Sequence, residues 1–104
     1  MKRLEVTVIV GQSKNVEGVF DRESLVYTYS KAKVGDEECK VYWSLIPDQL
    51  VDKTIEALSE RLDLRRKENT IAISPVEGVV STHLNRLKEK VVKEKPPGNP
   101  WRDL

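Results

Sequence analysis

KVYWSLIPDQLVDKTIEALSERLDLRRKENTIAISPVEGVVS, residues 40–81, decides the fold. It reads as strand, helix, strand and a sharp exit, and in it pattern, caps and turn chemistry all agree. Pro47-Asp48 ends the first strand and opens the helix. Proline is preorganised for a first turn, and Asp48 can accept bonds from the free N–H groups there. Leu50, Val51, Ile55, Leu58 and Leu62 make an apolar stripe one helix face wide, with Lys53, Glu56, Glu60 and Arg61 towards solvent. Arg65, Arg66 and Lys67 are expected to close the helix, where cations suit its negative end. Asn69 is the expected turn residue into a strand at residues 70–74 with Ile71 and Ile73 inward. Pro75 makes that strand an edge or finishes it.

Working back from Lys40, residues 39–46 form a strand in which Val41, Trp43 and Leu45 alternate with Tyr42, Ser44 and Ile46. Apolar bulk on both faces marks a strand that is central or meets another subunit. GDEE, residues 35–38, is hairpin chemistry and joins it to a strand at 25–34 carrying Leu25, Tyr27 and Tyr29 on one face. Residues 11–24 lose all periodicity. Val16, Val19 and Phe20 have helical spacing but Gly18 weakens it, so a long loop with at most one or two helical turns is expected. Residues 3–10 alternate cleanly, with Leu4, Val6, Val8 and Val10 on one face of a half-buried strand.

Downstream of Gly78, Ser81 or Thr82 can cap a helix from about His83 to Lys93 with a narrow stripe of Leu84, Leu87 and Val91. The tail KPPGNPWRDL breaks regular structure. The chain thus divides into one domain at 1–95 and a proline-rich tail at 96–104. Its class is α+β: an antiparallel, ferredoxin-like sheet with helices on one face, the first helix shortened or missing.

Composition sets the outer bounds. The 104 residues suit one domain with a modest core, and 38% hydrophobic against 34% charged is polar but still globular. A net charge of +1 gives no global field for nucleic acid or an anionic membrane, so any basic site must be local. Cys39, the single cysteine, excludes an intrachain disulfide and a thiolate metal cluster, and reads as a reducing, cytoplasmic setting. The charged opening strand lacks the apolar run of a signal peptide. No stretch approaches the roughly eighteen apolar residues of a membrane span.

KVYWSLIPDQLVDKTIEALSERL followed by NTIAISPVEGVVS resembles the C-terminal half of PII-like signalling proteins. There a strand ends in a proline–acidic turn, a helix of the form L-V-D-K-x-I-E-A follows, and a strand I-x-V-x-P-V-E-x-V-V closes the sheet. Pro47, Asp48, Leu50, Val51, Asp52, Lys53, Ile55, Glu56 and Ala57 stand at the first set, and Ile71, Pro75, Val76, Glu77, Val79 and Val80 at the second. The resemblance implies a ferredoxin-like protomer that assembles as a homotrimer and binds ligands between subunits. The departures concern the ligand. Nucleotide-binding relatives carry a glycine-rich, threonine-containing loop between helix and strand, whereas this chain has LDLRRKENT; glycine allows the close backbone approach to phosphate that this loop cannot copy. Their Arg-x-Gly segment after the strand is STHLNR here, and their long flexible loop between the second and third strands is a tight GDEE turn.

Arg65, Arg66 and Lys67 fall where the resemblance puts a phosphate-binding loop; they are either a solvated helix end or an anion contact across a subunit boundary. Glu77, between proline and glycine, either closes a turn or orients a ligand. His83 reads as a surface or capping residue and Cys39 as a small half-buried hydrophobe. Tyr27, Tyr29, Tyr42 and Trp43 could stack bases, but the RNA-binding aromatic signature is missing, which argues for packing. Trp101 in the tail suits docking on a protein partner or a neighbouring subunit. No nucleophile–base pair, acidic dyad, P-loop, Rossmann motif or zinc spacing is present, so neither an enzyme nor a cofactor is expected. Two functions remain in view: a sensor for a small anionic ligand or nucleotide, and a ligand-free oligomeric interaction module of the same fold.

Overall fold

The computed structural model describes residues 1–78, 86 and 87. β1 is Lys2–Ile9, followed by a 3-10 turn at Val10–Gln12 and helix α1 at Ser13–Arg22. β2 is Tyr27–Val34, β3 is Glu37–Ile46, α2 is Asp48–Arg61 and β4 is Thr70–Pro75. The sheet order is β2-β3-β1-β4, with every neighbouring pair antiparallel. β1 and β2 therefore run parallel with β3 between them, as do β3 and β4 with β1 between them. Each helix crosses one such gap, which is the split βαβ arrangement of a ferredoxin-like fold.

The core lies between one sheet face and the two helices. Leu4, Val6 and Val8 of β1 meet Tyr42 and Ile46 of β3, Val16, Val19 and Phe20 of α1, and Leu50, Leu58 and Leu62 at α2. β3 is an inner strand, as its two apolar faces imply. Tyr42, Ser44 and Ile46 are buried beneath α1 and α2, while Val41, Trp43 and Leu45 are half-buried on the opposite face. The Trp43 indole N–H donates to Glu5 across that face at 2.7 Å.

Residues 11–24, expected as a loop with one or two turns, are helical over Ser13–Arg22. The first helix is present, and shorter than the fourteen-residue α2. Val16, Val19 and Phe20 are fully buried at i, i+3, i+4 spacing, so core packing outweighs the local cost of Gly18, which lies on the exposed side. The helix closes with a Schellman pair: Leu25 N–H donates to the Phe20 carbonyl at 2.9 Å and Ser24 N–H to Asp21 at 3.1 Å. Ser24 takes the left-handed position at φ 58°, where glycine is usual.

The hairpin turn is the two residues Gly35-Asp36. Gly35 at φ 63° precedes Asp36, whose φ is negative, the sign pattern of a type II′ turn. β4 is an edge strand that ends on Pro75, as its proline requires. Ile71 is half-buried against the core, but Ile73 is 44% exposed rather than inward, although it pairs with the buried Leu4. Among the described residues no helix is long and apolar enough to cross a membrane. Of the expected C-terminal helix only Arg86 and Leu87 are described, and both are helical; His83, the 95/96 domain boundary and the tail with Trp101 lie outside the described residues. Leu87 is buried in the core.

Candidate functional site

The expectation that Arg65–Lys67 close α2 is corrected by the structure: the helix ends at Arg61, and the three cations sit on the connection to β4. Leu62 leaves the helix in an extended conformation, φ −114° and ψ 140°, and is buried in the core. The chain thus turns before the cationic run begins, with Leu62 still packed in the core. From there side chains replace the helix ladder. Asp63 accepts from the backbone N–H of Arg65 at 3.2 Å and from its guanidinium at 3.0 Å. That guanidinium holds the exposed Asp63 carboxyl below the usual carboxylate range. Arg66 N–H donates to the Asp63 carbonyl at 3.2 Å, and Asn69 N–H to that of Arg66 at 3.1 Å.

Asn69 anchors the loop and is far more than the turn residue its position suggests. It is 3% exposed. Its Oδ1 accepts from Ile9 N–H at 3.0 Å, and its Nδ2 donates to Gln12 Oε1 at 2.7 Å and to the Asp63 carbonyl at 2.9 Å. Asn15 of α1 adds a cap, donating to the final α2 carbonyl at Arg61 at 3.1 Å.

The three cations differ in their surroundings. Arg65 projects into solvent, its side chain 93% exposed. Arg66 is held by Glu68 at 2.9 Å, a carboxylate only 6% exposed, and reaches Glu37 of β3 at 3.7 Å. Lys67 is exposed. The Arg66–Glu37 contact brings this loop against the β2–β3 hairpin.

On that hairpin lie three lysines not singled out in the sequence. Lys31, Lys33 and Lys40 line a cleft of about 340 Å³ with Val10, the buried Cys39 and Glu38, which stands opposite Lys33 in the strand register. Lys31 stands directly opposite Lys40 in the strand register, an unfavourable like-charge pair. Lys40 is partly compensated, 3.7 Å from Glu17 and 4.9 Å from the centre of the Tyr29 ring. The alternation Lys31, Lys33 on a strand was the available signal, but it looks the same as an ordinary solvated edge.

On the other side of the Val10–Gln12 turn, Gln12, Arg61, Asp63 and Arg65 line a shallow depression of about 640 Å³. Glu60 lines it too, so this flank of the turn carries two cations and two carboxylates, while the hairpin flank carries three lysines. Glu77 is not part of this cluster within one protomer. It follows Pro75, which pairs with Lys2, whereas Thr70 pairs with Thr7 near the basic end. The length of β4, roughly 20 Å at about 3.4 Å per residue, separates them. The aromatic side chains are mostly spent on packing: Phe20, Tyr27 and Tyr42 meet with centroids 5.3–6.1 Å apart, and Tyr29, 55% exposed, lies at the cluster's edge. Among the described residues no group of three or more His, Cys, Asp or Glu could hold a metal ion.

No family model and no curated protein matches the sequence. The fold is similar to that of a solved structure, CPII bound to ADP, AMP and acetate, from Thiomonas intermedia K12. It matches with a TM-score of 0.61 at 16% identity, covering 69% of this chain and 81% of that one. The resemblance to PII-like proteins carried by residues 40–81 therefore holds at the level of the fold, and this chain has an α+β, ferredoxin-like architecture.

Proposed function

We propose that this chain is a PII-like regulatory protein that binds a small anionic ligand, such as the phosphate of a nucleotide, and acts through a partner without transforming the ligand. The observation that carries this is that Lys31, Lys33 and Lys40 line a cleft with Val10, Arg65 lines a depression with Gln12, and Arg66 reaches the hairpin at Glu37. Like charges brought together repel unless an anion or nearby acids offset them. The nucleotides in the CPII structure make adenine nucleotides the first ligands to test. Because the α2–β4 loop has no glycine, side-chain cations rather than backbone N–H groups would make the phosphate contacts.

The working assembly is a homotrimer. Val41, Trp43 and Leu45 form an apolar row on the sheet face opposite α1 and α2, and neighbouring protomers would pack on it. Glu77 would then reach a ligand only from another copy. Light scattering on the purified protein should give three times the protomer mass, and Leu45→Lys should lower it.

Thermal unfolding against ADP, AMP, pyrophosphate and acetate tests the ligand. A ligand that binds only the folded state raises the midpoint by an amount that grows with its concentration. A flat response to all four would favour the second reading, an interaction module that kept the fold and lost the pocket. Asp63, Glu68 and Glu37 already pair with Arg65 and Arg66, which is the observation on its side. In that case a partner should be lost on deleting residues 96–104, which carry Trp101.

A further inference from the structure

We infer that Asn69 is the positioning residue of the anion site: it sets the distance between the loop cations and the hairpin lysines. The inference rests on the anion-binding reading and adds a residue that carries no charge. Asn69 joins three pieces of chain distant in sequence: the last residue of β1 at Ile9, the 3-10 turn at Gln12, and the loop at Asp63. The Ile9 and Gln12 bonds hold the loop to the turn whose Val10 lines the lysine cleft. The Asp63 bond fixes the loop internally, two residues before Arg65.

Only an amide satisfies all three partners as they stand. The Ile9 N–H needs an acceptor, and the Asp63 carbonyl needs a donor. A carboxylate would supply the first and repel the second, while a hydroxyl is too short to span both. Because Asn69 is buried, breaking any one of its bonds would strand a polar group away from water, and this holds the loop to one arrangement. Among the described residues the Arg65 guanidinium bonds only to Asp63, which also accepts from the Arg65 backbone N–H, so its direction depends on where Asp63 is held. Remote support of this kind matters because a binding site fails when its supporting residues shift by about 1 Å.

The test uses the full chain and two probes, ADP and inorganic pyrophosphate, titrated well below the unfolding midpoint. Gln12→Ala removes one of the three bonds at a partly exposed site and keeps the fold; Asn69→Ala removes all three. We expect Gln12→Ala to weaken binding by about threefold and Asn69→Ala by about tenfold or more, on the scale of buried hydrogen bonds. A purely structural role would lower the unfolding midpoint and leave the dissociation constant of the folded protein unchanged. A double-mutant cycle separates the two further: removing Arg65 should cost less affinity once Gln12 is alanine, because a misplaced cation has less to lose. Should Asn69→Ala not fold, Gln12→Ala and its cycle with Arg65→Ala decide alone. Wild-type binding with unchanged affinity in Gln12→Ala and additive effects in the cycle would overturn the inference and leave the anion site standing. No binding of either probe to wild type would overturn both.

Discussion

The Tyr42 phenol, fully buried at the centre of the sheet, donates its proton to the Glu17 carboxylate on α1, with the Ser13 carbonyl 3.5 Å away. This bond ties the first helix to an inner strand. It also satisfies a hydroxyl that would otherwise be stranded among Phe20, Tyr27 and Tyr29. Lys40 approaches the same carboxylate at 3.7 Å, so the core's polar network leads directly to the lysine cleft.

Burial, reinforced by the Glu17 hydrogen bond, pushes the Tyr42 phenol well above its ordinary value of 10.0. The folded state thus holds its proton where the unfolded chain would release it. Stability from this site is complete below about pH 10 and falls as pH rises above it. Tyr42→Phe should remove about 2 kcal/mol at neutral pH, the scale of a hydrogen bond to a charged group, and flatten the alkaline decline. Denaturant unfolding of both proteins from pH 7 to 11 checks both effects.

Ser24 occupies the left-handed position of the α1 Schellman motif. An L-residue there costs about 1 kcal/mol relative to glycine. Ser24→Gly should therefore stabilise the protein, against the usual trend for glycine substitutions. Gly35→Ala in the hairpin turn, at φ 63°, should destabilise it by a similar amount. Midpoints from urea unfolding should move in opposite directions.

Thr54 faces the core from α2 at 0% exposure, and its hydroxyl has no hydrogen-bond partner among the described residues. An unsatisfied buried hydroxyl costs about 1–3 kcal/mol, and valine has the same shape without it. Thr54→Val should raise the thermal midpoint by roughly 5 °C for each kcal/mol gained in a domain of this size. An unchanged or lowered midpoint would mean that the hydroxyl is satisfied in solution.

Where local chemistry and packing agree, the sequence discloses the fold. The alternation of Leu4, Val6 and Val8, the Pro47-Asp48 start of α2 and the Gly35-Asp36 turn all stand where their residue types require. α1 was hidden because both of its punctuation marks mislead: Gly18 sits inside it, and serine replaces glycine at its end. The end of α2 was misplaced because Arg65–Lys67 look like a cationic last turn, while the buried Leu62 just beyond the helix continues the apolar stripe. The site was legible only in part. Its loop cations are contiguous, but Lys31, Lys33 and Lys40 join them through strand pairing. Asn69 owes its role to Ile9 and Gln12, some sixty residues earlier. Sequence spacing cannot disclose such long-range bonds.

The central claim is that the exposed cations of the α2–β4 loop bind an anionic ligand, and equilibrium binding of ADP to wild type and to Arg65→Glu/Lys67→Glu tests it most directly. Arg66 is left intact because its reversal would set a third carboxylate beside Glu68 and Glu37 and confound binding with folding. The account predicts ADP binding by wild type that weakens with added salt, and a loss of about tenfold or more in the double variant, measured well below its unfolding midpoint. Equal affinity in the two proteins would contradict it.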